Sequence, residues 1–262
     1  MNARPHRMQV TVGYDYVLVV EWLDQDDRRT GTELHTRLRD AGVPTRLVVC
    51  DSGEEVRMAL ANALREIGAE GIPAIQLETH GTDPFEGDAR DIGFGAGRGP
   101  LIRWSELGEW LAPLNEASGY RLLVVSAACW GSAVIGAIGG GEHNAPFAGA
   151  IGFRTDVPDS RLFDAMVELY RALRAGESLE QSIASAQREL GPDQQLQLET
   201  AVLLAAKMLW RVFNDPQRAF RDADLDPQQR MQIARQAWNR WFPARLQEEQ
   251  RVYRFENVPL DR

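Results

Sequence analysis

Residues 122–131 read Leu-Leu-Val-Val-Ser-Ala-Ala-Cys-Trp-Gly. Leu122 to Val125 are a run of branched apolar side chains, and the residues after them are small apart from Trp130. A run of this length reads as a strand buried on both faces, Leu122–Ser126, with Cys129 just past its carboxyl end. A second stretch has the same grammar: Ala74–Thr79 leads straight into His80-Gly81. Parallel strands of one sheet release their ends at the same edge, where open α/β sheets gather their chemistry. A histidine and a cysteine then share one edge.

The chain around these two strands alternates strand with helix. Tyr16–Leu23 is the first strand, and Thr32–Ala41 is a helix with Leu34 and Leu38 four apart and Gly42 closing it. Arg46–Cys50 is the second strand. Ser52 with Glu55 forms a capping box before a helix striped by Val56, Leu60, Ala63, Leu64 and Ile67. Ile75–Thr79 is the third strand, and residues 82–100, rich in glycine, read as a long surface loop with room for a small hairpin. Trp104–Leu114 is a helix and Leu122–Ser126 the fourth strand. Ala148–Phe153 is the fifth, Asp159 caps a helix stopped by Gly176, and a Ser178–Gln181 capping box opens another running to Leu190. Such units predict a three-layer α/β sandwich with a mostly parallel central sheet. Right-handed crossovers put the ends carrying His80 and Cys129 on one edge.

Past Pro192 the pattern changes. Glu199–Phe213 is apolar on nearly all sides, and Asp226-Pro227 is a helix start. Met231, Ala234, Trp238, Trp241 and Phe242 form one stripe ahead of a polar, loosely held tail from Gln247. The chain thus divides into a domain over residues 1–192 and a helical C-terminal extension over 193–262, packed on the domain or regulatory. The Trp238–Phe242 stripe reads as core packing, with a docking surface for a partner as the alternative.

Composition narrows the function classes. A formal net charge of −9 over 262 residues argues against nucleic acid or an anionic membrane as the main partner. No apolar run reaches the roughly 18 residues of a membrane span. Met1–Val12 carries basic residues without the apolar stretch of a secretory signal. Cys50 and Cys129 are the only cysteines, too few for a disulfide scaffold, so a reducing cytoplasm is the expected setting. The histidines and cysteines have no zinc-ligand spacing, and no metal is expected. Lys207 is the only lysine among the 29 basic residues, the usage of a GC-rich, bacterial genome.

A free cysteine after a buried strand is often only a small core hydrophobe. The paired His80-Gly81 changes that weighing. A thiol of pKa about 8.5 is only a few per cent thiolate at neutral pH. An imidazole beside it can take the proton and later protonate a leaving amine. Gly81 and Gly131 let the backbone approach a substrate closely. The amide N–H groups of Gly81 and Cys129 are the candidate oxyanion donors.

From position 80 to position 129 is 49 residues, and Ala127-Ala128-Cys129-Trp130-Gly131 differs from the caspase pattern Gln-Ala-Cys-x-Gly only at Ala127. The matching text also includes Ile75–Gly81 (IQLETHG), Ile92–Leu111 (IGFGAGRGPLIRWSELGEWL) and the segment from Ala148 through Arg188. On these residues the chain resembles the caspase-like peptidase clan, in particular bacterial caspase and CHAT-type proteases, over roughly Tyr16–Leu190. The resemblance implies a caspase-like fold and hydrolysis of peptide bonds through a thioester, with His80 and Cys129 as the dyad. It implies no metal or organic cofactor in the chemistry. It further suggests protein substrates, an activating or inhibitory protein partner, and a role in a stress, cell-death or antiphage pathway.

Arg28–Glu33 (RRTGTE) resembles the caspase segment Arg-x-Gly-x-Asp, whose arginine binds an acidic P1 side chain; carried over, that arginine is Arg29. Arg154, at the end of the fifth strand, is a second basic candidate, and a guanidinium pair suits a carboxylate by bidentate hydrogen bonding. The bland reading is a Thr30–Glu33 capping box, with Arg29 a solvated residue before the helix. Lys/Arg-specific relatives carry aspartate where this chain has Ala127, while Asp156 and Asp159 offer an acidic pocket instead. Two further readings stay open. One is a caspase-fold binding or scaffold subunit with a degraded site; the other is an amidase or acyltransferase using the same pair on a non-peptide substrate. Trp130 to Phe153 is 23 residues, so a single-chain enzyme is expected, with the loop Gly136–Pro146 self-cut or ordered by a partner.

Overall fold

Tyr16–Trp22 (β2) is buried along its whole length, which a strand achieves only with neighbours on both sides and cover on both faces. A computed structural model supplies both, and describes residues 9–10, 12–82, 93–97, 100–129, 131, 134, 145–153, 159–190, 196–200 and 253–254. The central sheet runs β3 (Thr45–Val49), β2, β4 (Pro73–Gly81), β7 (Leu123–Ser126), β8 (Gly149–Phe153), β9 (Leu196–Thr200). Every neighbouring pair on this path is parallel except β8 with β9. A short antiparallel arm, β5 (Gly93–Gly95) with β6 (Ile102–Arg103), pairs with the end of β4 inside the glycine-rich stretch. The fold is mixed α/β with a mostly parallel sheet, as the alternation predicts, and five helices stand among the described residues.

Side-chain alternation along the strands makes two cores. Leu18, Val20, Ile75, Leu77 and Val124 pack with Val56 and Leu60 of α2 (Gly53–Glu70) and Leu107 and Leu111 of α3 (Trp104–Ala117). Val17, Val19, Leu123, Val125 and Ile151 face the other way, onto α1 (Thr30–Asp40), α4 (Asp159–Arg174) and α5 (Leu179–Leu190), through Leu34, Leu38, Met166, Leu169 and Ala186. Helices therefore cover both faces. Each such side chain contributes about 1.5–3 kcal/mol by leaving water, so a one-residue slip of a strand would exchange the two cores and is strongly disfavoured.

Of the three capping boxes, Ser178–Gln181 forms in full and Ser52–Glu55 in part, its glutamate reaching one residue beyond the N-cap. Ser52 Oγ accepts the Glu55 N–H at 3.3 Å while the Glu55 carboxylate takes the Asp51 N–H at 2.8 Å. Ser178 and Gln181 bond reciprocally, at 3.0 and 3.2 Å. The Thr30–Glu33 box does not form. α1 starts at Thr30 with Arg29 at its N-cap and no side-chain cap; the Thr30 hydroxyl donates to Glu78 at 2.7 Å, and Glu33 pairs with Arg28 and Arg37. Buried carboxylates on the sheet supply the acceptors for this first turn, so a local cap is displaced.

Beyond Pro192 the sheet goes on. β9 pairs Leu196–Thr200 with β8, and Leu196 and Leu198 alternate with Gln197 and Glu199, a period-two signal outweighed by the long apolar run behind it. Tyr253–Arg254 (β10) pairs with Gln9–Val10 (β1), so these two residues of the tail are tied to the chain's start rather than loosely held. The expected helices between 201 and 252 lie outside the described residues. Among the described residues no helix is long and apolar enough to cross a membrane.

Candidate active site

The register of β4 on β7 brings the carboxyl ends of the two strands to one sheet edge. Ile75, Gln76 and Leu77 partner Val124, Val125 and Ser126, an offset of 49 positions, and the same offset carried three residues further runs from His80 to Cys129. The ladder ends where the Ala127 N–H donates to Leu77 O at 2.9 Å. The chain then turns, and the Gly131 N–H donates to Ala128 O at 2.9 Å, closing the turn around Cys129.

Two glycines make this turn possible. A Cβ on Gly131 would lie 2.6 Å from Ser126 O and 2.8 Å from its Oγ. A Cβ on Gly81 would lie 2.1 Å from Cys129 O and 3.2 Å from the Ala128 Cβ. The backbones at Gly81 and Cys129 are thus in contact, and only glycine fits. The Thr82 N–H donates to Gly93 O at 3.1 Å, which makes 82 and 93 a hydrogen-bonded pair of the arm. Antiparallel pairs alternate, so the next pair, Gly81 with Phe94, directs the N–H and C=O of Gly81 away from β5. That leaves them facing the Cys129 side.

The two cysteines differ in kind. Cys50 is fully buried, and burial, then the Glu55 and Asp51 charges, push its thiol up to about 12. It is a core residue. Cys129 is half-buried at the sheet edge.

His80 is exposed, and its Nε2 lies 2.9 Å from Asp27 Oδ2. A carboxylate only accepts, so this contact assigns the proton to Nε2 and leaves Nδ1 for chemistry. Asp27 is held in turn: the Asp24 N–H donates to the same Oδ2 at 3.0 Å, and the Asp27 N–H donates to Asp24 O at 3.0 Å. The ring packs over Gly97, at φ +112°, where a Cβ would come within 3.0 Å of His80 Cδ2. The sequence reading does not single out Asp27. Its one signal is its place directly before Arg28-Arg29, in the acidic run Asp24-Gln25-Asp26-Asp27.

Beneath this edge lies a buried polar layer that the sequence reading also missed. Glu21 and Glu78 are register partners on β2 and β4, both essentially without solvent exposure. Glu21 accepts the Thr32 N–H at 2.9 Å, at the N-terminus of α1, where the helix dipole favours a carboxylate. Glu78 accepts from Thr30 Oγ1 and from Gln76 Nε2, each at 2.7 Å, and Gln76 accepts from the fully buried Tyr170 hydroxyl at 2.8 Å. The signal was available: glutamates inside apolar strands need buried partners. The layer anchors the segment carrying Asp27 and Arg29 to the sheet.

Arg29 turns inward, its Nη1 3.4 Å from Leu23 O and 3.6 Å from Glu21 Oε1, with its side chain 37% exposed. Arg28 instead stacks on Phe163 of α4, 5.1 Å from the ring centre. Arg154 and Asp156 lie outside the described residues, as do the side chain of Asp159 and nearly all of Gly136–Pro146. Among the described residues no group of three or more His, Cys, Asp or Glu is placed to hold a metal ion. No protein-family model matches the chain, and no curated protein matches it.

Proposed function

We propose that the chain is a cysteine endopeptidase that hydrolyses peptide bonds through Cys129 and His80. The observation that carries this reading is the shared 49-residue offset of β4 and β7, which brings an exposed histidine and a half-buried cysteine to one sheet edge. His80 Nδ1 takes the thiol proton, and the thiolate attacks the carbonyl carbon of the scissile bond. Charge gathers on the carbonyl oxygen, to which the N–H groups of Gly81 and Cys129 donate. The C–N bond breaks as His80 passes its proton to the leaving amine, leaving a thioester on Cys129. Water, deprotonated by His80, then hydrolyses the thioester and restores the thiol. The resemblance to caspase-like peptidases supports a regulated bacterial effector protease with protein substrates and a restraining or activating partner. A cysteine-directed peptidyl probe tests the reading. It is expected to label Cys129 and spare Cys50, with labelling at least about tenfold lower in His80→Ala. Equal labelling with and without His80 would point to the scaffold reading.

The same proposal places Arg29 at the P1 pocket. Its contacts with Leu23 O and Glu21 hold the guanidinium on the loop that also carries Asp27. An acidic P1 side chain meeting that fork is expected to be preferred, and Arg29→Ala to lower kcat/KM for Asp at P1 on the order of 10- to 100-fold. Peptides with Asp, Arg and Leu at P1 provide the comparison. Best cleavage after Arg, or a ranking unchanged in Arg29→Ala, would discard the assignment and move the pocket to Asp156 and Asp159.

A further inference from the structure

We infer that Asp27 is a positioning residue for His80, holding the ring by its Nε2 edge so that Nδ1 is turned to the Cys129 thiol. The inference rests on, and deepens, the reading of His80 and Cys129 as a hydrolytic pair. His80 stands at the exposed end of a strand, with its side chain 47% accessible. Exposed side chains of this kind exchange rotamers freely unless something holds them. Two contacts do so here: Gly97 beneath the ring, and Asp27 Oδ2 at 2.9 Å from Nε2.

Asp27 is well placed for this task because it is itself fixed. Its Oδ2 accepts the Asp24 N–H, and that same N–H donates to Ala96 O at 3.0 Å, one residue past the Gly95 that pairs with His80. The loop bearing Asp27 and the strand bearing His80 are therefore tied to the same arm. The chemistry fits the placement. When the S–H bond of Cys129 breaks and the Nδ1–H bond of His80 forms, the ring gains a positive charge that faces the Asp27 carboxylate across the Nε2–H. What the contact supplies is orientation: the Nε2–H stays on Asp27 while Nδ1 receives the proton.

The test is the rate of Cys129 alkylation by iodoacetamide at neutral pH, read by mass spectrometry with Cys50 as the buried control, in wild type, His80→Ala, Asp27→Ala and Asp27→Asn. Asp27→Ala is expected to slow alkylation on the order of 10-fold or more. Asp27→Asn is expected to restore most of the rate. Because the Asp24 N–H and His80 meet the same oxygen, the asparagine keeps its carbonyl oxygen there and still accepts from Nε2–H. Thermal unfolding of each variant separates a lost fold from a lost contact, and the near-isosteric Asp27→Asn carries the test if Asp27→Ala does not fold. Alkylation unchanged in Asp27→Ala, or equally slow in both Asp27 variants, would overturn the inference. Slow alkylation in His80→Ala with a normal rate in Asp27→Ala removes Asp27 alone. A normal rate in His80→Ala removes the hydrolytic pair and Asp27's role with it.

Discussion

Replacing Cys129 by alanine is expected to abolish cleavage of unfolded protein substrates while leaving the thermal unfolding profile near that of wild type. Loss of a nucleophile that acts as one unit with its base costs on the order of 10⁴- to 10⁶-fold in kcat. The structural cost is small for a positional reason. Cys129 is half-buried in a turn past the end of β7, and the fully buried positions of that strand, Leu123 to Ser126, lie before it. Removing one sulfur there changes stability by less than about 1 kcal/mol. Cys50 gives the contrast. Its fully buried thiol stays protonated through the neutral range, so Cys50→Ala should keep activity and lower stability by about 1–2 kcal/mol through lost packing. Activity and unfolding, measured side by side, should separate the two cysteines. If Cys129→Ala kept full cleavage, the assignment of the nucleophile would be lost.

Gly81→Ala should cost on the order of 100- to 1,000-fold without touching either reacting group. The added Cβ would lie 2.1 Å from Cys129 O, a backbone atom with no flexible end to swing aside, and 3.2 Å from the Ala128 Cβ. The turn bearing the nucleophile must move relative to the strand end bearing His80. A displacement of about 1 Å lowers rate on the order of 100-fold, and misplacing an oxyanion donor lowers it by about 10²–10³. The expected result is a 100- to 1,000-fold loss in kcat by these effects, with overpacking costing about 1–3 kcal/mol of stability. Gly68→Ala on α2 is the control, since a Cβ there meets nothing within 4 Å. It should be silent or stabilising by about 0.5–1 kcal/mol.

The sheet and its helices were legible because they rest on strong periodic signals. Strands buried on both faces announce themselves as apolar runs, and Leu34 with Leu38, or Leu107 with Leu111, mark the faces of their helices. The common edge at which β4 and β7 end was legible too, because both strands are plain apolar runs that pair in parallel, Ile75–Leu77 on Val124–Ser126. What escaped was non-local. The Thr30–Glu33 box looks sound by local rules, yet Glu78 lies 48 residues from Thr30 in the chain and takes its hydroxyl. Asp27 and His80 are 53 residues apart, and no spacing rule connects a loop carboxylate to the end of another strand. β9 was obscured by the apolar stretch that follows it, although its alternation was present. At Thr30 a tertiary partner overrode a local preference.

The most direct test of the central claim is the digestion of a degenerate peptide library, with new amino termini counted by mass spectrometry. Wild type, His80→Ala and Cys129→Ala should be compared at equal concentration, alongside a check that all three are folded. A protein that cleaves through Cys129 and His80 should generate new termini in wild type and lose them in both variants. Termini that persist undiminished in Cys129→Ala, or a folded wild type that generates none while its Cys129 is alkylated no faster than in His80→Ala, would contradict it.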